Sequence, residues 1–221
     1  MNPWSDPGTV AGFVQSPPNA VLMRFAEEAQ THAAGSRVLD IGCGAARNAL
    51  PLARAGWDVL GTDTSWPMLD AAAQRTRGEQ LKGRLQLTQA AMDRLPVRDA
   101  SADLIIAHGI WNLARSSDEF RRALREAARA ARPGAALFLF TFSRHTLPPD
   151  ERPVAGETFV FTQFSGEPQC FLTSEQIVEE LRAAGFAPDA AVPLRELNRP
   201  AGLLHAGSGP VIYEGLFRFR S

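Results

Sequence analysis

Gly42 and Gly44 form a turn, Gly42-Cys43-Gly44, directly after the apolar run Val38-Leu39-Asp40-Ile41. Asp63 closes a second apolar run, Asp58-Val59-Leu60-Gly61, about one helix length further on. A glycine backbone, lacking Cβ, lets a ligand approach closely. A carboxylate at a strand end accepts two hydrogen bonds in a fork, which matches the cis hydroxyls of a ribose. Strand, glycine turn, helix, strand and terminal acid make a unit suited to an adenosine-type ligand at the carboxyl ends of parallel strands. The plainer alternative is that the glycines only turn the chain. His108 ends a third apolar run, Asp103-Leu104-Ile105-Ile106-Ala107-His108. It is the best-placed titratable group for general-base work, which requires a pKa near the operating pH. Its rival role is to wall the ligand, together with Ala107.

The spacing after the turn narrows the ligand. In a dinucleotide-binding G-x-G-x-x-G the third glycine lets helix and strand pack closely. Here that place holds Arg47, a long cation that does not fit. The run from Val38 to Asp63 instead resembles motif I of the class I S-adenosylmethionine (SAM) methyltransferases, with Ala46 where the last glycine often stands. Gly42-x-Gly44-x-x-Arg47-Asn48-Ala49-Leu50 is similar to the tellurite-resistance and thiopurine methyltransferase branch. The resemblance covers residues 36–142 well and the rest in outline, as in the methyltransferase 11 and 25 types. It implies SAM as cofactor and S-adenosylhomocysteine as product. It implies roles for Asp40 toward the methionine ammonium, for Gly42, Cys43 and Gly44 as the cradle, and for Asp63 toward the ribose. Thr64 is a further cofactor-binding candidate that could instead cap the next helix, as could Ser65. Arg47 either meets the methionine carboxylate or is a solvated helix-start arginine. Met68 and Trp66 either cover the adenine or pack in the core. Ala90-Ala91-Met92-Asp93-Arg94-Leu95-Pro96 resembles the motif that usually carries an adenine-contacting Asp, which falls here at Ala91. Met92 would then offer its backbone N–H and side chain, with Asp93 the weaker substitute.

Alternating elements must position these groups. Asn19 caps a helix over 19–34, strands follow at 38–41 and 58–62, and helices at 46–55 and 66–76. Leu85–Ala90 alternates as a strand, and 103–108 reads as a buried parallel strand. Ser116-x-x-Glu119 caps a helix that Pro133-Gly134 stops. A strand at 136–141, a helix capped by Thr173-x-x-Gln176 and a last strand over 211–219 complete the pattern. The expected fold is a Rossmann-like, doubly wound, mostly parallel α/β sheet with helices on both faces. The resemblance adds seven strands with the last antiparallel. One domain spans 1–221, with an N-terminal lid and helix over 1–34 and an insertion at 143–172 beside the acceptor pocket.

With 221 residues, 45% hydrophobic and 21% charged, the chain reads as a globular protein with a full core. Its net charge is −1 and Lys82 is its only lysine, so no general grip on nucleic acid is implied. The arginine bias either reflects genomic base composition or serves a binding task. No apolar run approaches the ~20 residues of a membrane span, and Met1–Pro7 lacks the features of a signal peptide. Cys43 and Cys170 have no metal-ligand spacing, so no metal site is expected, and a reduced, cytoplasmic protein fits best.

Methyl transfer from an activated sulfonium needs alignment and exclusion of water, with a base only where the acceptor must lose a proton. A small-molecule acceptor is expected, since His108-Gly109-Ile110-Trp111 stands where base-modifying amino methyltransferases carry Asn/Asp-Pro-Pro-Tyr/Phe. Trp4, Phe13, Trp111, Phe142, Phe159, Phe161, Phe164 and Phe171 either line the acceptor pocket or fill a small core. His145, Glu157 and His205 are polar candidates on the same rim. The competing readings are a non-catalytic SAM-fold binding partner and a dinucleotide-dependent enzyme.

Overall fold

The computed structural model describes residues 3–30, 36–199 and 209–220. The parallel core consists of β1 (Arg37–Ile41), β2 (Asp58–Asp63), β3 (Leu85–Gln89), β4 (Ala102–His108) and β5 (Ala131–Phe142). The sheet continues through the antiparallel β10 (Ile212–Phe219) to β8 (Phe186–Pro188), giving the order β3-β2-β1-β4-β5-β10-β8. This path has the seven expected strands. An eighth, β9 (Arg195–Leu197), also pairs with β10. The order reverses between β1 and β4, which is where ligands bind in open α/β sheets.

Burial on both faces explains why β4 is a continuous apolar run. Leu104 and Ile106 pack toward α2 (Ala20–Gln30), α3 (Ala49–Arg54) and α4 (Trp66–Thr76), in a cluster with Leu22, Leu50 and Ala72. Ile105 and Ala107 pack toward α5 (Ser117–Ala130) and α6 (Ser174–Ala183), with Leu124 and Leu181. Each large aliphatic side chain so buried contributes roughly 1.5–3 kcal/mol.

The helix caps follow their sequence signals. Asn19 Oδ1 accepts from Leu22 N at 2.9 Å, and Thr173 and Gln176 form a reciprocal capping box. Three boundaries differ. After the glycine turn the chain stays non-helical to Asn48, because Gly42, Gly44 and Ala46 all take positive φ (69°, 53° and 57°). The helix before β5 ends at Ala130 rather than at Pro133-Gly134. Ala131 already pairs with Ala102, and Pro133-Gly134 lie inside β5, where the pairing shifts register. Residues 7–15, in the expected N-terminal lid and ahead of the helix read from Asn19, form a helix of their own, α1 (Pro7–Gln15), with Asp6 accepting from Thr9 N at 2.8 Å. Residues 143–172 hold a hairpin of β6 (Val160–Phe161) and β7 (Gln169–Cys170). Arg144 gathers this segment by donating to the carbonyls of Leu147, Pro148, Pro149 and Glu151, its guanidinium 4.8 Å from the Phe161 ring centroid. No helix among the described residues is long and apolar enough to cross a membrane.

Candidate functional site

The carboxyl ends of β1, β2 and β4 bring Asp40, the glycine turn, Asp63 and His108 to one edge. Asp40 is only 2% exposed, and its Oδ2 has no hydrogen-bond partner among the described residues. Burial raises its pKa to about 7, with Arg47 pulling it down and Asp63 pushing it up. A buried carboxyl without a partner is costly unless something supplies a donor or a positive charge.

Asp63 brackets the turn. Its Oδ2 accepts from Gly44 N at 2.9 Å and its Oδ1 from Ser65 N at 2.8 Å. Burial raises its pKa, and those backbone donors oppose the rise. Each oxygen keeps a lone pair, so the fork can still accept from a ligand. Gly42 leaves no room for a side chain, since a Cβ there would lie 2.7 Å from the Ile110 side chain. At Gly44 a Cβ would lie 3.6 Å from Phe13 and 3.9 Å from Met68 Sδ. Cys43 faces away, its N–H donating to Thr62 O at 2.9 Å and its thiol packed against Gly61. It pins the turn to β2, and burial raises its thiol pKa.

Arg47 is half-buried and makes no ion pair among the described residues. Its Nη2 lies 3.0 Å from both ring nitrogens of His108, of which a neutral imidazole can offer only one as acceptor. Burial lowers the pKa of Arg47 and Asp40 raises it. His108 stacks on Phe140 with ring centroids 4.0 Å apart. Burial, then the adjacent guanidinium, lower its pKa to about 3, so it is neutral at pH 7 and a weak base. Cross-strand register sets His108, Phe140 and Glu214 in one row. Asn19 Nδ2 donates to Glu214 Oε2 at 2.6 Å and lies 3.4 Å from His108 Nε2.

The remaining candidates divide. Met68 is buried beside Gly44, whereas Trp66 is 66% exposed on the rim. Ser65, not Thr64, caps α4, and its hydroxyl donates to Trp4 O at 2.7 Å. Thr64 meets Gln89 through its carbonyl. Ala91 follows β3, and Met92 lies in the core with Ile41 and Trp111. Asp93 pairs with Arg122 at 3.1 Å and is turned toward α5. Trp111, Phe159, Phe161 and Phe171 are core residues, Phe142 is half-buried, and Phe164 is 42% exposed. Trp4 meets Phe13 edge-on at 5.7 Å, over the turn. Glu157 accepts from Ser117 at the start of α5, a capping role. His145 pairs with Glu196, and His205 lies outside the described residues. Sequence reasoning passed over Ile110 and Glu214. An acid inside the apolar run 211–219 was the available signal for the second.

The comparisons with known proteins agree with this geometry. A methyltransferase domain family profile matches residues 39–139, from β1 to β5. Residues 39–139 therefore form a methyltransferase domain, and the chain is similar to the class I SAM-dependent methyltransferases. With the family comes its cofactor, SAM. Methyltransferase GfsG of Streptomyces halstedii is 33% identical over 135 residues, 61% of this chain and 47% of that protein. The chain thus spans about half the length of that relative. A demethylmenaquinone methyltransferase of Streptomyces avermitilis is 28% identical over 187 residues, 77% of this chain and 75% of that protein. Among solved structures, the CcbJ methyltransferase from Streptomyces caelestis superposes with a TM-score of 0.69 at 15% identity, covering 99% of this chain and 98% of that one. At that identity the likeness speaks for the fold alone.

Proposed function

We propose that this protein transfers the methyl group of SAM to a small-molecule acceptor by in-line displacement. The observation that carries the reading is the buried, unpartnered Asp40 Oδ2 facing a half-buried Arg47 that makes no ion pair among the described residues. A zwitterionic amino-acid head supplies what both groups want: an ammonium for Asp40 and a carboxylate for Arg47. A pyrophosphate would place negative charge against Asp40. The donor set therefore fits SAM.

Asp63 would hold the ribose hydroxyls, and Gly42, Gly44, Met68 and Met92 would form the cradle. When bound, SAM supplies a methyl group already activated on a sulfonium. The protein's own work is alignment and drying of the cleft. Residues 3–15 serve as the lid, with Phe13 over the turn and Trp4 tied to Ser65. His108, neutral at pH 7, acts as a wall and as the hydrogen-bond partner of Arg47 rather than as the base. The acceptor enters beside residues 143–172. A small-molecule acceptor is supported by the net charge of −1 and by the demethylmenaquinone methyltransferase among the relatives. Two buried free thiols suit a reducing compartment such as the cytoplasm.

Isothermal titration with SAM and with NAD tests the reading: SAM binds and NAD does not. Asp63→Ala weakens SAM binding by about 1–3 kcal/mol, the scale of charged hydrogen bonds lost. Unchanged affinity refutes the ribose assignment. Binding of SAM without turnover of any small acceptor would favour the non-catalytic alternative.

A further inference from the structure

A second polar cluster lies at the same end of the sheet, beyond the end of β5. His145 Nδ1 is 2.7 Å from Glu196 Oε1, and Ser143 Oγ also donates to that carboxylate. Arg199 meets Glu196 Oε2 at 3.2 Å, and Tyr213 adds its hydroxyl. Burial pushes the Glu196 pKa up, but the bonds from Ser143, His145 and Tyr213 outweigh it, so the carboxylate stays ionised. The backbone here is fixed: Thr146 Oγ1 donates to Val211 O at 2.9 Å and accepts from Val211 N at 3.0 Å. The imidazole itself is 44% exposed, and no hydrogen bond engages its Nε2 among the described residues. A carboxylate on Nδ1–H fixes the tautomer that leaves Nε2 as a free proton acceptor. Three residues back along the chain, Phe142 packs against the exposed Phe164 with ring centroids 5.4 Å apart, an aromatic surface on the same rim. With His108 held neutral and weakly basic, this pair is the best-arranged proton acceptor on the rim among the described residues.

We propose that His145, oriented by Glu196, is the general base of the reaction and that the acceptor is an aromatic or enolic hydroxyl. This rests on the methyltransferase reading and deepens it, since an unprotonated amine would need no base. The acceptor O–H bond breaks and its proton passes to His145 Nε2. The oxygen forms a bond to the methyl carbon, and the carbon–sulfur electron pair stays on sulfur. The products are a methyl ether, S-adenosylhomocysteine and an imidazolium facing Glu196, which returns its proton to water. Among the described residues, the charged and titratable groups around His145 are Glu196 and Arg199, Glu175 at the start of α6, and Tyr213 on β10.

The test follows labelled methyl transfer from SAM to 1-naphthol, un-ionised at neutral pH, and to pentafluorophenol, already ionised. His145→Gln lowers kcat on 1-naphthol about 10²–10⁴-fold, the usual scale of general-base catalysis, with KM little changed. It loses less than about tenfold on pentafluorophenol. Glu196→Gln gives a smaller loss, and nitrogen NMR of His145 shows the Nδ1–H tautomer in the wild type but not in this variant. SAM affinity by calorimetry stays unchanged in both variants. Full activity of His145→Gln on 1-naphthol overturns the proposal, as does an equal loss on both phenols. So does a wild type that binds SAM yet methylates no un-ionised phenol. A wild type that fails to bind SAM removes the methyltransferase reading and this proposal with it, and calorimetry tells that case apart.

Discussion

Asp40→Asn should separate stability from cofactor binding. In the unfolded chain this carboxyl titrates near 3.8, and in the folded protein burial raises its pKa to about 7. Between those values the native state holds a proton that the unfolded state has shed, so Asp40 lowers stability as pH rises. Three pH units at about 1.4 kcal/mol each give a cost of roughly 4 kcal/mol by pH 8. Asparagine never ionises, so Asp40→Asn is expected to be more stable than the wild type above pH 7, with the gain vanishing near pH 4. SAM binding should move the other way. An ammonium prefers the ionised carboxylate, so wild-type affinity strengthens by about 25-fold between pH 5.5 and 7.5, the change expected for a group titrating near 7. The variant should show no such dependence and should bind about 10–100-fold more weakly at pH 7.5, from a lost charged hydrogen bond. Urea unfolding and SAM calorimetry across that range measure both halves. A variant that keeps the wild-type pH dependence of SAM binding refutes the placement of the ammonium, and one that gains no stability at pH 8 refutes the burial cost at Asp40.

Arg47→Met should weaken SAM by about 1.5–3 kcal/mol, while 5′-methylthioadenosine, which lacks the amino-acid head, loses less than about threefold in calorimetry. Equal losses for the two ligands would move Arg47 away from the carboxylate. Gly42→Ala should destabilise by more than the ~1–2 kcal/mol of left-handed strain, because its Cβ also meets Ile110 at 2.7 Å. Adding Ile110→Ala should recover part of that, with a coupling of about 1 kcal/mol in a double-mutant cycle; strict additivity would show that Ile110 does not pack on the turn. His108→Gln should flatten the acid limb of stability. In the wild type the unfolded chain takes up a proton below pH 6.5 that the folded protein refuses until about pH 3. The wild type should therefore lose about 2–3 kcal/mol relative to the variant between pH 6.5 and 4.5 in urea unfolding, and an unchanged difference would show His108 to be solvated.

The parallel core was legible because local signals and tertiary demands coincide there. Leu104–Ala107 is apolar on both faces and Val38–Ile41 is broken only by Asp40, as befits covered parallel strands, and the caps at Asn19, Ser116 and Thr173 act within three residues of themselves. The glycine turn and Asp63 were legible for the same reason, since their spacing fixes the backbone that brings Gly44 N to the carboxylate. What stayed hidden depends on contacts distant in sequence. β8 and β9 have three residues each and exist only because β10 lends them an edge. Glu214 meets Asn19 from 195 residues away, and Glu196 meets His145 from 51. The irregular start of α3 was hidden for another reason. Ala46 takes a left-handed conformation, whereas an alanine in the sequence reads as a helix former.

The two extreme titrations of the site have one cause and opposite signs. Burial disfavours charge, so it pushes the Asp40 carboxyl up and the His108 imidazole down. Between about pH 4 and 6.5 the folded protein keeps a proton on Asp40 that the unfolded chain has lost, and lacks one on His108 that the unfolded chain has gained. The two linkages cancel over that window, so the pair can sit at the sheet edge without steepening the dependence of stability on pH. Above pH 7 the balance ends: His108 is neutral in both states, and the whole remaining cost falls on Asp40. That residual charge stress is relieved by a cation brought to Asp40 with an anion for Arg47, which is the charge pattern of an amino-acid head. On the proposed reading, the same burial that makes the edge costly at neutral pH is what selects a zwitterion over a diphosphate.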